Sequence, residues 1–238
     1  MSPADVVACV LVAAGRGERL GEPRPKALVD IAGVPMVEHA VRAMTASLVR
    51  HVVIVAPGAY VEQVAEFGRV YAAQFATLTV VAGGDTRQAS VACGLDAVPA
   101  AAEIVLVHDA ARCLAPPGLY DDVARAVRDH HDAVVPGLPV VDTVKEVDDD
   151  GRVRATLPRP RLRAIQTPQG FRRGVLARAH AVAVAGEALD DASLVEGMGV
   201  AVHVVAGHPD AFKVTGPTDL ALAEFVVARS RPVPRPAP

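Results

Sequence analysis

Residues 13 to 20 read Ala13-Ala14-Gly15-Arg16-Gly17-Glu18-Arg19-Leu20, and Pro25-Lys26 follows shortly after. Small residues and glycines let backbone N–H groups come close to a phosphate, and Arg19 and Lys26 carry charge that can neutralise it. Four basic and two acidic residues fall between Gly15 and Lys26, a cationic patch in a chain of net charge −3. A lone Gly-x-Gly is best read as an ordinary loop with solvated arginines. Small-small-Gly-x-Gly-x-Arg with Pro-Lys downstream is far more restrictive. Two other phosphate loops do not fit. A dinucleotide fingerprint needs glycine where Leu20 stands and an acid near the end of the second strand, which closes on Ala56-Pro57; a Walker loop needs Gly-Lys-Ser/Thr, and Gly21 precedes Glu22.

Further along, Gly83-Gly84-Asp85-Thr86-Arg87-Gln88-Ala89-Ser90 pairs glycines with two side chains, Asp85 and Ser90, that could read a base edge. The alternative for Asp85 is a helix N-cap. His108-Asp109-Ala110-Ala111-Arg112 sets a carboxylate, Asp109, where it could orient ligand hydroxyls or approach Mg²⁺. Lys213 and Arg159 are further cationic positions, and Thr143 is a plain strand hydroxyl unless its segment reaches a ligand. Other chemistries lack their residues. There is no Gly-x-Ser-x-Gly elbow, and His130 and His131 are adjacent on a helix and so diverge.

The elements that must position these residues follow from hydrophobic period. Val6–Ala13, His51–Ala56, Thr77–Val81, Ile104–Val107 and Ala133–Pro136 read as strands. Met36–Met44, Tyr60–Phe67, Gln88–Ala97 and a helix from Pro117 to about His131 read as helices between them. Such alternation implies right-handed crossovers and a largely parallel sheet, with ligands bound beyond the carboxyl ends of the strands. The functional stretches above stand at those ends.

From Pro139 to Leu162 the rhythm breaks. Val140, Val144 and Val147, then Asp149-Asp150-Gly151 and Val153, suggest a hairpin turning at Asp-Gly and projecting as an arm over about 138–163. An ordinary solvated loop is the alternative. The α/β pattern resumes with a strand at Ala164–Gln166, a helix over Arg173–Val184, a strand at Val200–Val205 and a helix after Pro217. Residues 1–230 read as a single domain, and the proline-rich 231–238 as a disordered tail.

Composition bounds the class. The 238 residues are 51% hydrophobic and 21% charged, which is globular, with no Trp and 3% aromatics, so the core must be Val, Ala and Leu. Net charge −3 argues against a nucleic-acid binder. Cys9, Cys93 and Cys113 form no Cys-x-x-Cys pair, and the longest apolar run, Val6–Ala14, is shorter than the ~20 residues of a membrane span. A cytoplasmic, non-membrane enzyme acting on nucleotide or sugar phosphates is expected.

Six blocks occur in order: Ala13-Ala14-Gly15-x-Gly17-x-Arg19…Pro25-Lys26, Gly84-Asp85-x-Arg87-x-x-Ser90-Val91, Val107-His108-Asp109-Ala110-Ala111-Arg112, Asp142-Thr143-x-Lys145, Gln166-Thr167-Pro168-Gln169 and Lys213-Val214-Thr215. Together, over about residues 6 to 228, they resemble the 2-C-methyl-D-erythritol 4-phosphate cytidylyltransferases of the non-mevalonate isoprenoid pathway. The resemblance implies an α/β, Rossmann-like nucleotidyltransferase fold, mostly parallel with helices on both faces and a projecting β-arm, in a homodimer joined through that arm. It implies Mg²⁺ held mainly by CTP phosphates, with no protein metal ligands needed. The implied catalytic residues are Arg19, Lys26 and Lys213. Ala13, Ala14, Gly15, Gly17, Gly84, Asp85 and Ser90 are implied for the nucleotide, and Asp109, Arg112, Thr143, Arg159 and Thr167 for the polyol phosphate. One position departs: Leu189 stands where these enzymes usually carry a threonine that helps hold the polyol. A pentitol phosphate acceptor such as ribitol 5-phosphate, or a catalytically silent nucleotide-binding module, are the alternatives.

Overall fold

A computed structural model describes residues 6–15, 24–183 and 189–230. The first half runs through strand β1 (Val7–Val12), a short hairpin β2 (Asp30–Ile31) and β3 (Val34–Pro35), helix α1 (Met36–Thr45), β4 (Val49–Ala56), α2 (Val61–Tyr71), β5 (Thr77–Ala82), α3 (Arg87–Asp96), β6 (Ile104–Asp109) and α4 (Pro117–Asp129). The second half runs through β7 (Ala133–Pro139), β8 (Lys145–Val147), β9 (Val153–Thr156), β10 (Arg163–Ile165), β11 (Gln169–Arg172), α5 (Arg173–Val182), α6 (Asp191–Gly197), β12 (Val202–Ala206) and α7 (Pro217–Ser230).

Strand β1 is apolar at every position because it is covered on both faces, as buried parallel strands are. It pairs parallel with β4 on one edge and β6 on the other, and β5 continues beyond β4. Alternate residues then serve opposite layers. Val7, Cys9 and Leu11 pack with Val37 and Val41 of α1 and Leu119 and Val123 of α4. Ala8 and Val10 pack with Val91 and Leu95 of α3 and Val175 and Leu176 of α5. Each valine or leucine among them contributes on the order of 1.5–3 kcal/mol by leaving water. Close approach replaces aromatic bulk: a Cβ on Gly94 of α3 would stand 2.5 Å from Val10 and 2.8 Å from Val55.

The sheet is parallel over β5-β4-β1-β6 and mixed beyond it. Strand β11 runs antiparallel between β6 and β7, β10 pairs antiparallel with β7, and β12 lies parallel on the other edge of β7. Sequence pattern does not reveal β11. Gln-Gly-Phe-Arg shows neither alternation nor a Val-rich run, and its burial comes entirely from neighbours, with Val123 of α4 2.5 Å from where a Gly170 Cβ would sit. Helix α6 escapes sequence pattern for a similar reason. It is seven residues long and starts on an Asp190–Ser193 capping box, too short a signal to mark a helix by itself.

Arg163 pairs with Pro139, so the segment between them leaves and rejoins the main sheet at one point. Within it, β8 and β9 form their own two-stranded sheet, with Gly151 at φ 78° in the connection. Val147 and Val153 face each other across this hairpin and are 54% and 59% exposed. Among the described residues no helix is long and apolar enough to cross a membrane.

Candidate active site

Strand order places β4 and β5 on one side of β1 and β6 on the other, so a crevice must open where their connections diverge. A cleft of about 820 Å³ lies there. Its walls are the segments following β1, β4, β5 and β6, joined by Lys26 and Lys213 from farther along the chain. The strands end level, Val12 lying opposite both Val55 and Asp109.

The floor is built of small residues because there is no room for others. Ala13 N–H still bonds Val55 O at 2.8 Å and Gly83 N–H bonds Ala56 O at 2.8 Å, prolonging the ladders into the cleft wall. A Cβ on Gly83 would sit 2.7 Å from the Ala14 Cβ and 2.8 Å from Ser90 Oγ. Ser90, 2% exposed, donates to Gly84 O at 3.2 Å. Thr86, not Asp85, caps α3 by accepting from Ala89 N–H at 3.0 Å. Asp85 is thereby released from the capping role and lines the cleft.

The described lining holds four cationic side chains, Arg24, Lys26, Arg87 and Lys213, against two carboxylates, Asp85 and Asp109. Asp109 bridges two of the cations, with Lys213 Nζ 2.7 Å from Oδ2 and Arg87 Nε 3.2 Å from Oδ1. Burial pushes its carboxyl upward, but the Arg87 and Lys213 charges outweigh that and hold it well below the usual carboxylate range. Behind it, His108 is fully buried, and burial lowers its pKa to about 4. Thr167 Oγ1 accepts from Asp109 N–H at 3.1 Å and lies 2.9 Å from His108 Nδ1, locking the end of β6. On the Lys213 side, Asp219 of α7 accepts from Thr215 N–H at 2.7 Å, Gly216 N–H at 2.9 Å and the Thr215 hydroxyl. Those bonds draw its pKa down, and the nearby Lys26 adds to the effect.

Of the residues expected from sequence, Ala13, Ala14, Gly15, Lys26, Gly84, Asp85, Ser90, Asp109 and Lys213 line this one cleft. Gly17 and Arg19 lie outside the described residues. Arg112 does not line it; its guanidinium donates to Ala211 O at 2.8 Å and Ile165 O at 3.2 Å, pinning the turn ahead of Lys213. Thr167 is 5% exposed and sits behind the wall. Thr143 and Arg159 are exposed on the arm, where Arg159 donates to Val141 O at 2.7 Å. Leu189 is 93% exposed and does not line the cleft. Arg87, to which the sequence alone assigns no role, emerges as a central cation. Its acidic partners, Asp109 and Asp191, lie 22 and 104 residues away, a separation no local motif records.

The family profile described as IspD, 2-C-methyl-D-erythritol 4-phosphate cytidylyltransferase, matches residues 7–229. A cytidylyltransferase of that description from Streptomyces avermitilis is 53% identical over 232 residues, covering 94% of this chain and 92% of the relative. One from Saccharopolyspora erythraea is 48% identical over 227 residues, covering 93% and 99%. Among solved structures, the Thermus thermophilus enzyme superposes with a TM-score of 0.74 at 35% identity, covering 92% of this chain and 98% of that one. The 4-diphosphocytidyl-2C-methyl-D-erythritol synthase from Anaerococcus prevotii superposes with a TM-score of 0.83 at 26% identity, covering 95% and 100%. With its fold and nearly its whole length matched in this way, the chain belongs to the 2-C-methyl-D-erythritol 4-phosphate cytidylyltransferase family.

Proposed function

We propose that the cleft transfers the cytidylyl group of CTP to 2-C-methyl-D-erythritol 4-phosphate. A phosphate oxygen of the acceptor attacks the α-phosphorus in line, the bond to the β-phosphate breaks, and pyrophosphate leaves; CDP-methylerythritol is the other product. The observation that carries this reading is the gathering of Lys26, Arg87 and Lys213 from distant stretches around one small-residue floor. Two anions must meet here, and neither needs a covalent handle. Catalysis is therefore positioning plus cationic stabilisation of charge in the transition state.

In this reading Lys26, with Arg19, holds the triphosphate and stabilises the pentacoordinate centre, and Lys213 steers the incoming phosphate. Ala13, Ala14, Gly15, Gly17, Gly84, Asp85 and Ser90 surround cytosine and ribose, in a space that suits a pyrimidine. Asp109 and Arg112 serve the acceptor's hydroxyls. Thr143 and Arg159 reach its phosphate from the arm of a second copy, with Thr167 nearby, in a homodimer. The chain works as one domain, in the cytoplasm.

Mg²⁺ fits the donor set. Among the described residues no three His, Cys, Asp or Glu side chains gather as a metal cage, and of the cleft carboxylates Asp109 is committed to Arg87 and Lys213. Mg²⁺ keeps several waters and favours substrate phosphates over all-protein cages, so the CTP phosphates would hold it. Once bound it neutralises part of the triphosphate charge. The test is pyrophosphate release from CTP, Mg²⁺ and methylerythritol phosphate, beside the same assay with ribitol 5-phosphate. Release with the first acceptor is expected; release with ribitol 5-phosphate alone, or CTP binding with no transfer to either, overturns the assignment.

A further inference from the structure

A line of alternating charges leads from the cleft into the protein and ends on a histidine. Lys213 pairs with Asp109 at 2.7 Å, Asp109 with Arg87 Nε at 3.2 Å, Arg87 Nη1 with Asp191 Oδ2 at 2.7 Å, and Asp191 Oδ1 with His180 Nε2 at 3.0 Å. The first three residues line the cleft, whereas Asp191 and His180 do not, their side chains being 1% and 6% exposed. Asp191 sits between Asp190 and the apolar Ala192, at the start of a helix whose other inward residues, Ala192 and Val195, are hydrophobic. A carboxylate buried there costs more than an apolar side chain unless its cationic partner is what the fold requires.

The helix start does not depend on that carboxylate. Gln169 Nε2 donates to Asp190 Oδ2 at 2.7 Å, Ala192 N–H donates to Gln169 Oε1 at 3.1 Å, and Ser193 N–H donates to Asp190 Oδ1 at 2.9 Å. Two of these bonds fix backbone N–H groups and the third braces Gln169 on Asp190, and among the described residues the Asp191 side chain addresses Arg87 and His180. The guanidinium in turn is a rigid fork, using Nε for one carboxylate and Nη1 for the other. Fixing one prong fixes the other.

We propose that Asp191, backed by His180, is a positioning residue for the acceptor: it sets the Arg87 fork and so presents the Asp109 carboxylate in one orientation to the acceptor's hydroxyls. This rests on the cytidylyltransferase reading above. Without the Asp191 charge, Arg87 is free to turn both prongs onto Asp109 or to swing into the cleft. Acceptor binding then suffers, while the nucleotide floor of Ala13, Gly84 and Ser90 is untouched.

Initial rates with CTP, Mg²⁺ and methylerythritol phosphate test this on the wild type, Asp191→Asn, Arg87→Lys and the double variant. Asp191→Asn keeps the shape and removes the charge; its KM for the acceptor should rise about tenfold or more, and its KM for CTP less than about threefold. Arg87→Lys should do the same, because an ammonium cannot span both carboxylates. The double variant should be no worse than either single one, since one linkage is broken in each. Unchanged acceptor KM in Asp191→Asn, equal shifts in both KM values, or effects that multiply in the double variant would overturn the inference. Should Asp191→Asn fail to fold, His180→Asn replaces it. A smaller rise in acceptor KM is then expected, and no rise overturns the proposal. An inactive wild type would overturn the cytidylyltransferase reading itself, a different result from an active wild type with an indifferent Asp191.

Discussion

At the ends of β1 and β5, side chains are small because neighbours stand within van der Waals reach of any added atom. Ala14, Gly83 and Ser90 fill one another's space, and Gly94 lets α3 close onto Val10 and Val55. Charge is held in place as well, Asp109 at the end of β6 standing between Arg87 and Lys213. The hairpin β8–β9 is the opposite case. Lys145, Glu146 and Val147 are all exposed, and Lys145 has Thr156 for a partner across the ladder at 2.7 Å. In the cleft, packing within the chain dictates which residue can stand where. On the hairpin the turn is set from within, by Gly151 and by the Asp148 carboxylate accepting from Asp150 and Arg152 N–H, but no such packing constrains the exposed strand residues, where a demand can come from another molecule.

The largest effect expected from this contrast is at Lys26. Lys26→Ala should lower turnover about 10²–10³-fold, the usual loss for one donor aimed at developing charge, with circular dichroism unchanged. Pyrophosphate release measures it. A near-normal rate would mean that the cationic wall is not where the phosphates react, and the contrast between a working cleft and an idle hairpin would lose its meaning.

Next in size is overpacking. Gly94→Ala forces a methyl against Val10 and Val55. That costs about 1–3 kcal/mol, offset in part by the roughly 1 kcal/mol that alanine gains over glycine in a helix. Thermal unfolding should shift downward by a few degrees, at about 2–4 °C per kcal/mol for a chain of this size. Gly151→Ala on the hairpin meets no neighbour within 4 Å; its φ of 78° makes it locally strained. It should leave the midpoint nearly in place, because the hairpin can yield without opening the core. Equal shifts from the two substitutions would show that the hairpin belongs to the same cooperative unit.

The same contrast explains how far the chain could be read from its letters. Valine runs gave β1, β4, β5 and β6, and the glycines and lysine after them marked the cleft, because buried parallel strands and close backbone approach both leave local signatures. What local pattern could not show was dependence on distant partners. Thr86 takes the cap that Asp85 could have filled, a choice made by geometry one residue wide. Arg112 reads locally as a ligand cation, and the carbonyls of Ile165 and Ala211 that hold its guanidinium in place lie 53 and 99 residues on. Strand β11 is polar by composition and buried by position, between β6 and β7.

Acid provides a third measurement. The folded-state pKa of His108 is lowered by burial from 6.5 to about 4, so the unfolded chain takes up that proton first. Its contribution to stability is complete above about pH 6.5 and is lost as pH falls toward 4. His108→Asn, which keeps an acceptor for Thr167 and cannot titrate, should flatten the fall of the unfolding midpoint across that window. An unchanged slope would show that another group is responsible. The Asp109 carboxylate, also held low, is expected to lose its contribution only at still more acid pH, below the usual carboxylate range.

The smallest effect on the isolated chain, and the sharpest test of the hairpin, is at Val147 and Val153. They lie opposite each other on adjacent strands and are 54% and 59% exposed, an apolar pair that the described residues leave more than half uncovered. Replacing both with serine should change the stability of the single chain by no more than about 0.5 kcal/mol, as surface substitutions generally do. If the arm joins two copies, the same change removes apolar area from each side of the contact, and every 1.4 kcal/mol so lost weakens association about tenfold. Sedimentation over a dilution series separates the two quantities. Dissociation at a higher concentration than wild type, with an unmoved single-chain unfolding free energy, is the expected result. A sedimentation profile identical to wild type would take the valines out of any interface, and the need for a second molecule would then rest on Thr143 and Arg159 alone.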